Sequence, residues 1–193
     1  MSNRYSVSEL FKNAYALVLT KVFYPGARLI RRPFYLRGRR GLCCGKGLTT
    51  GYGCRFETDG TPGVLHIGCD ARIGDHVHIY AAKSVTIGDN VLIASKVFIS
   101  DTSHGWYAGE DQSDPATNPS ERKLVSVPVS IGDNVWLGDN VVVLPGAVIG
   151  DGCVVGANAV VKGQFGPNRI LVGAPARAVK EYNPETKKWE KLS

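Results

Sequence analysis

The chain has 193 residues, of which 44% are hydrophobic, 9% aromatic and 23 glycine, and it carries a formal net charge of +6 at pH 7. This length suits one domain, or one domain with an extension, and the apolar fraction rules out wholesale disorder. Many glycines and few aromatics favour a thin, turn-rich architecture, and no apolar run reaches the roughly 18 to 20 residues that cross a bilayer.

The first 40 residues read as a basic amphipathic helical segment. Ser6-Val7-Ser8-Glu9 has the form of a capping box, with Ser6 as N-cap and Glu9 at N3. Leu10, Ala14, Leu17, Val18 and Phe23 give an apolar stripe, which Pro25-Gly26 ends. Residues 1–47 hold ten basic residues, Arg4 among them, against the single acid Glu9; the total of +6 leaves −3 for the rest. A basic, apolar-striped segment can lie on an anionic membrane surface, or simply cover an open strand edge. Nucleic acid is not expected, since zinc-finger spacing and RNA-binding aromatic motifs are absent. Glu9 and Asn13 interrupt the place where a signal peptide would be apolar. The expected location is cytoplasmic, with the segment peripheral at the inner face of the membrane.

Gly41 to Gly63 read as irregular glycine-rich coils. Gly41-Leu-Cys-Cys-Gly45-Lys46 is one residue short of a phosphate loop and has no Ser or Thr after the lysine. The five cysteines, Cys43, Cys44, Cys54, Cys69 and Cys153, are odd in number and form no C-x-x-C pair. They predict neither a disulfide framework nor a four-cysteine zinc site, but reduced and mostly buried thiols.

From Ile67 an aliphatic residue recurs every six positions: Ile67, Ile73 and Ile79, then after a two-residue slip Ile87, Ile93 and Ile99. After a long break the phase resumes at Ile131, Leu137, Val143, Ile149, Val155 and Val161. Each hexad reads as a short strand and a corner, with the aliphatic inward and Gly, Asp or Asn supplying left-handed corner backbone. Three hexads make one triangular coil, and stacked coils make an all-β parallel β-helix. The predicted organisation is a helical segment over 1–40, a β-helix over 41–173 with an inserted loop over 105–130, and a cap and tail over 174–193.

The loop is the one long break in the repeat, and loops of this length in compact domains commonly carry function. At its base stands Asp101-Thr102-Ser103-His104-Gly105, followed by Trp106 and Tyr107. His104 is the candidate general base, since an imidazole is suited to take a proton near pH 7. Asp101 either orients that imidazole or caps its own turn. Ser103 adjoins His104, but neighbours on an extended chain point apart, and no G-x-S-x-G elbow occurs. His76 and His78 flank inward Val77 and should point outward, as acceptor contacts or as plain surface histidines.

Val85-Thr-Ile-Gly-Asp-Asn-Val-Leu-Ile-Ala94, the His104 loop, Ile131-Gly-Asp-Asn-Val-Trp136-Leu-Gly, Leu144-Pro-Gly-Ala-Val-Ile-Gly150 and Gly173-Ala-Pro-Ala-Arg177 together resemble galactoside and maltose O-acetyltransferases. The whole chain looks more like the branch that acetylates bacterial surface polysaccharides. The resemblance implies a left-handed β-helix and an acetyl-CoA-dependent transfer to a sugar hydroxyl of lipopolysaccharide O-antigen, exopolysaccharide or a lipid-linked precursor. It also implies that His104 is the base of a direct attack on the thioester, with no metal. For CoA it points to Trp136, to the Gly156-Ala157-Asn158 corner and to the Gly173–Arg177 turn. Lys162, Arg169, Arg177 and Lys180 are expected to cluster in the last coil and suit its phosphates. His76, His78, Trp106 and Tyr107 are the candidate acceptor contacts. Gly74 and Ala82 stand where galactoside acetyltransferase has acceptor-contacting Asn and Asp, so the saccharide acceptor is expected to sit differently.

Hexad counting places His104 and Trp136 at different corners of the prism, so they should not line one pocket within a chain. With the resemblance, this predicts a homotrimer with active sites between subunits. Two alternatives stay open: an N-acetyltransferase acting on a nucleotide amino sugar or an antibiotic, and a non-catalytic scaffold. A γ-class carbonic anhydrase shares the β-helix but needs three zinc-binding histidines, and His66, His76, His78 and His104 lack that spacing.

Overall fold

The computed structural model describes residues 5–192, so Arg4 lies outside the described residues. Three parallel sheets wrap into a prism, consistent with the left-handed β-helix that the repeat predicts. The first face carries Leu29–Ile30, Thr49–Thr50, Arg72–Ile73, Leu92–Ile93, Trp136–Leu137, Val154–Val155 and Arg169–Val172. The second carries Phe34–Arg37, Cys54–Thr58, His78–Ala81, Phe98–Ser100, Val142–Val143 and Val160–Val161. The third carries Leu42–Cys44, Leu65–Ile67, Val85–Ile87, Val129–Ile131, Val148–Ile149 and Gln164–Phe165.

The hexad aliphatics form three inward columns. Ile67, Ile87, Ile131 and Ile149 are in register on the third face, and Ile73, Ile93, Leu137 and Val155 on the first. Ile79, Ile99, Val143 and Val161 do the same on the second. Each column is buried almost completely, so each coil covers apolar surface that its neighbour leaves open. The corners use left-handed backbone at Asp70, His76, Asn90, Lys96, Asn134, Asn140 and Asn158. Gly138 shows why the position after the aliphatic is small: a Cβ there would stand 2.7 Å from the Ala157 backbone nitrogen of the next coil.

Two boundaries differ from the sequence reading. Helix α1 (Val7–Phe23) stops just before Pro25-Gly26 as expected, but Leu29–Ile30 and Phe34–Arg37 are already strands of the first coil, ahead of the expected start at residue 41. The hexad pattern hides this, because Thr50, Cys44 and Phe56 replace aliphatics in the early columns. At the other end, Arg177–Asn183 and Lys188–Lys191 add two antiparallel strands to the first face. The cysteines are all free thiols, but only Cys54 and Cys153 are buried, because Cys43 and Cys69 fall on an outward strand position and a corner.

The capping box of α1 forms as expected: the Glu9 amide donates to Ser6 Oγ at 3.3 Å and the Ser6 amide donates to Glu9 Oε2 at 2.8 Å. The helix covers the open edge of the first strand. Buried Thr20 accepts the Ile30 amide at 2.9 Å, and Ala16 is buried beside it. Asn13 Oδ1 accepts from Arg31 Nε at 3.1 Å and from the Tyr52 hydroxyl at 3.3 Å. Polar Asn13 and Thr20 thus face the body, while Leu10, Phe11, Tyr15, Val18 and Val22 are exposed, Phe11 by 74%.

Candidate functional site

The break in the repeat is a projecting arm. It leaves between the second and third faces and pairs Thr102–His104 antiparallel with Leu124–Ser126, His104 opposite Leu124. Asp101 pins its base. This fully buried carboxylate accepts the Ala82 amide at 3.0 Å, the Lys83 amide at 2.7 Å, the Ser84 amide at 2.8 Å and the Thr102 hydroxyl at 2.7 Å. Its backbone carbonyl accepts the Val127 amide at 2.7 Å, closing the arm. Of the two expected roles of Asp101, it is the turn that the carboxylate serves, and its orienting of His104 is corrected. Its oxygens are committed to the turn that carries the two-residue slip, and among the described residues none contacts the imidazole.

The arm divides two cavities. One, of about 360 Å³, is lined by His104, Thr102 and Leu124 of the arm and by His78, Tyr80, Phe98 and Ser100 of the second face. The other, of about 430 Å³, lies on the opposite side, with Ser103, Trp106, Tyr107, Val125, Leu144 and Lys162 among its walls. Strand alternation makes this division: Thr102 and His104 point one way and Ser103 the other. Arg122 stiffens the tip, donating to the Tyr107 hydroxyl at 2.8 Å and to the carbonyls of Thr117 and Pro115 at 3.1 Å each. The Tyr107 hydroxyl donates in turn to the His104 carbonyl.

Of the candidate acceptor contacts, His78 shares the cavity with His104, and Trp106 and Tyr107 line the other one. His76 sits at a left-handed corner between the first and second faces and lines neither. His78 Nε2 is 2.9 Å from Glu57 Oε2, and its ring meets Phe98 edge-on at 5.3 Å between centroids. Glu57 Oε1 accepts from Arg37 at 2.8 Å and from Arg55 at 2.7 Å. The Arg55 hydrogen bond is the largest influence on the Glu57 carboxyl and, with the His78 bond and the charge of Arg37, outweighs desolvation to lower its pKa to about 2. Glu57, Arg55 and Arg37 escaped the sequence reading, since no spacing links them to His78 before the coils are stacked.

The candidate donor residues fall in several places. Trp136 opens the two-residue first-face strand Trp136–Leu137, paired with Leu92 and Val154 and half exposed. It is not at a corner, because the residue before the inward aliphatic is an outward strand position and the corner follows at Gly138-Asp139-Asn140. Gly156, Ala157 and Asn158 form the corner one coil above, where Asn140 Nδ2 donates to Asn158 Oδ1 at 3.2 Å. The Gly173–Arg177 turn reaches the same corner: the Val160 amide donates to the Gly173 carbonyl at 3.0 Å and the Ala176 amide to the Val160 carbonyl at 2.8 Å. Of the four basic residues, Arg169, Arg177 and Lys180 lie on the paired strands Arg169–Val172 and Arg177–Asn183, Arg169 within 3.4 Å of Glu181, while Lys162 lines the Trp106 cavity. Among the described residues no three or more His, Cys, Asp or Glu are placed to hold a metal ion.

The family described as "Bacterial transferase hexapeptide (six repeats)" matches residues 128–163. Over 192 residues, 99% of this chain and 97% of the relative, the sequence is 44% identical to an Escherichia coli K12 protein named as a lipopolysaccharide biosynthesis O-acetyl transferase, WbbJ. It is also 36% identical over 127 residues to the galactoside O-acetyltransferase of Escherichia coli K12, covering 65% of this chain and 58% of that one. Among solved structures, AntD, an N-acyltransferase from Bacillus cereus crystallised with dTDP-4-amino-4,6-dideoxyglucose and coenzyme A, superposes with a TM-score of 0.71. It is 20% identical and the match covers 96% of this chain and 94% of that one. A hexapeptide-repeat acetyltransferase of Vibrio cholerae complexed with acetyl-coenzyme A gives 0.59 at 23% identity, covering 94% and 80%. At these identities the two structures establish the shared fold.

Proposed function

The chain belongs to the hexapeptide-repeat family of bacterial acetyltransferases, and from that premise we propose that it moves an acetyl group from acetyl-CoA to a sugar hydroxyl during surface-polysaccharide assembly. The relative that matches end to end bears a lipopolysaccharide O-acetyltransferase name, which supports the pathway and the O-linkage. The observation that carries the reading is the His104 cavity: an exposed imidazole on a projecting arm, over a groove of Tyr80, Phe98 and Ser100 able to seat a sugar ring.

His104 acts as general base. It takes the proton of the acceptor hydroxyl as that oxygen bonds to the acetyl carbonyl carbon; the carbon–sulfur bond breaks and the proton passes to the departing thiolate. Such a base contributes roughly 10²- to 10⁴-fold. Ser103 faces the other cavity, so an acyl-serine relay to the His104 groove has no support.

The residues available for the donor fit an extended thioester. Trp136 and Leu92 form an exposed apolar strip on the first face, and the small residues Gly156 and Ala157 stand one coil above it beside the Gly173 turn. His104 opens onto the second face, around a convex corner from Trp136. A trimer that sets the first face of one prism beside the second face of its neighbour would unite them. We place the protein in the cytoplasm, with α1 against the anionic inner membrane: its exposed Leu10, Phe11, Tyr15, Val18 and Val22 are apolar, Lys12 and Lys21 lie on it, and Arg39 donates to its Phe23 carbonyl at 3.2 Å. No helix among the described residues is long and apolar enough to cross a membrane.

Incubation of the purified chain with acetyl-CoA and a saccharide panel, read by mass spectrometry, tests the reaction. The expected result is one added acetyl group on a hydroxyl, removable by mild alkali. Alkali-stable acetylation of amino sugars alone would favour the N-acetyltransferase reading.

A further inference from the structure

The cluster at the lower end of the His104 groove is built in an unusual way. On the second face two outward columns run side by side: Arg37, Glu57, Tyr80 and Ser100 in one, and Tyr35, Arg55, His78 and Phe98 in the other. The upper members line the cavity under His104. Of the lower members Arg37, Arg55 and Glu57 are charged, and Glu57, whose side chain is 11% exposed, joins the two arginines.

Here a single ionised carboxylate holds two guanidinia at one oxygen and an imidazole at the other. The set keeps an excess positive charge. The arginine side chains are 72% and 42% exposed, so they remain open to a ligand. Among the described residues Arg37 and Arg55 each give Glu57 one terminal nitrogen, which leaves the other terminal nitrogen of each guanidinium for a ligand. Two guanidinia with spare, fixed N–H groups match the oxygens of a phosphate. The strand spacing of about 4.8 Å puts Glu57 two steps, about 10 Å, below the Ser100 level from which the arm departs. One sugar ring and the phosphate on its anomeric carbon fill such a span.

We propose that Arg37 and Arg55, positioned by Glu57, bind the diphosphate of a glycosyl diphosphate acceptor whose sugar lies over His78 and Tyr80 with a hydroxyl at His104. This rests on the O-acetyltransferase reading and narrows it: the substrate is an activated or carrier-linked sugar, modified before its diphosphate is released. Nucleotide-linked and lipid-linked sugars share this chemistry.

Calorimetric titration of the full-length chain with uridine diphosphate, with farnesyl diphosphate and with CoA tests the proposal. Wild-type protein is expected to bind one of the two diphosphates, which identifies the source. Replacing Arg37→Gln and Arg55→Gln together should weaken that binding about tenfold or more, with CoA affinity unchanged. Should the double variant not fold by circular dichroism, exposed Arg37→Gln alone gives the same comparison. Absence of binding by both diphosphates, equal affinity in the variant, or a matching loss of CoA affinity in folded variant would each overturn the subsite. Transfer to saccharides without diphosphate binding removes the subsite and leaves the reaction; binding without transfer to any acceptor does the reverse.

Discussion

Ser103 and His104 are neighbours in the chain, yet they open into different cavities on opposite sides of one arm. The arm is thus a partition, and only its His104 side meets the groove of the second face.

Replacing His104→Ala should lower kcat at least about 100-fold, the low end for a general base, with an unchanged melting curve, because the side chain is exposed. Steady-state kinetics at saturating acetyl-CoA gives the answer, and near-normal turnover would remove the assignment.

Asp101→Ala should behave differently. It strips the Ala82, Lys83 and Ser84 amides of their buried acceptor, a loss of about 2–4 kcal/mol. Urea unfolding should show the drop, whereas a residue that only oriented the imidazole would leave stability intact.

Acid should weaken the lower end of the groove. The Glu57 pKa falls from an ordinary 4.5 to about 2 on folding. Its contribution to stability is therefore complete above about 4.5 and is lost as pH drops from there toward about 2. Wild-type melting temperature should fall more steeply through that window than that of Glu57→Gln, whose side chain does not titrate.

Co-refolding inactive His104→Ala with inactive Trp136→Ala should restore part of the activity, since mixed trimers would hold sites with both residues intact. Full activity from a monomer by light scattering would contradict shared sites.

The basic helix should carry the protein to phosphatidylglycerol vesicles in sedimentation, less so as salt rises, and less for Phe11→Glu with Val18→Glu. Equal sedimentation of that variant would show that the exposed apolar face is not the contact.

The columns from Ile67 to Val161 were legible because every coil there repeats the same inward aliphatics. The coils before them were harder to read. Buried Thr50 stands in the Ile30–Ile73 column, and Phe56 and Cys44 hold equivalent places. His104 could be found because it borders an interruption. The cluster around Glu57 could not, because register, not sequence distance, sets Arg55 beside His78. Hexad counting puts Trp136 at a corner because it fixes the period but not where in the hexad the chain bends.

The Asp101–Val127 closure carries a consequence for descent. Above and below it Ile99 pairs with Val143, and Ile87 with Ile131, as though nothing lay between. The tip between His104 and Leu124 can therefore be lengthened, shortened or exchanged without shifting a single coil. The far side of the arm and the stability of the scaffold become separately heritable: the walls that Trp106 and Tyr107 give the second cavity can be replaced as a cassette at one staple, while the prism and the groove on its second face are passed on unaltered.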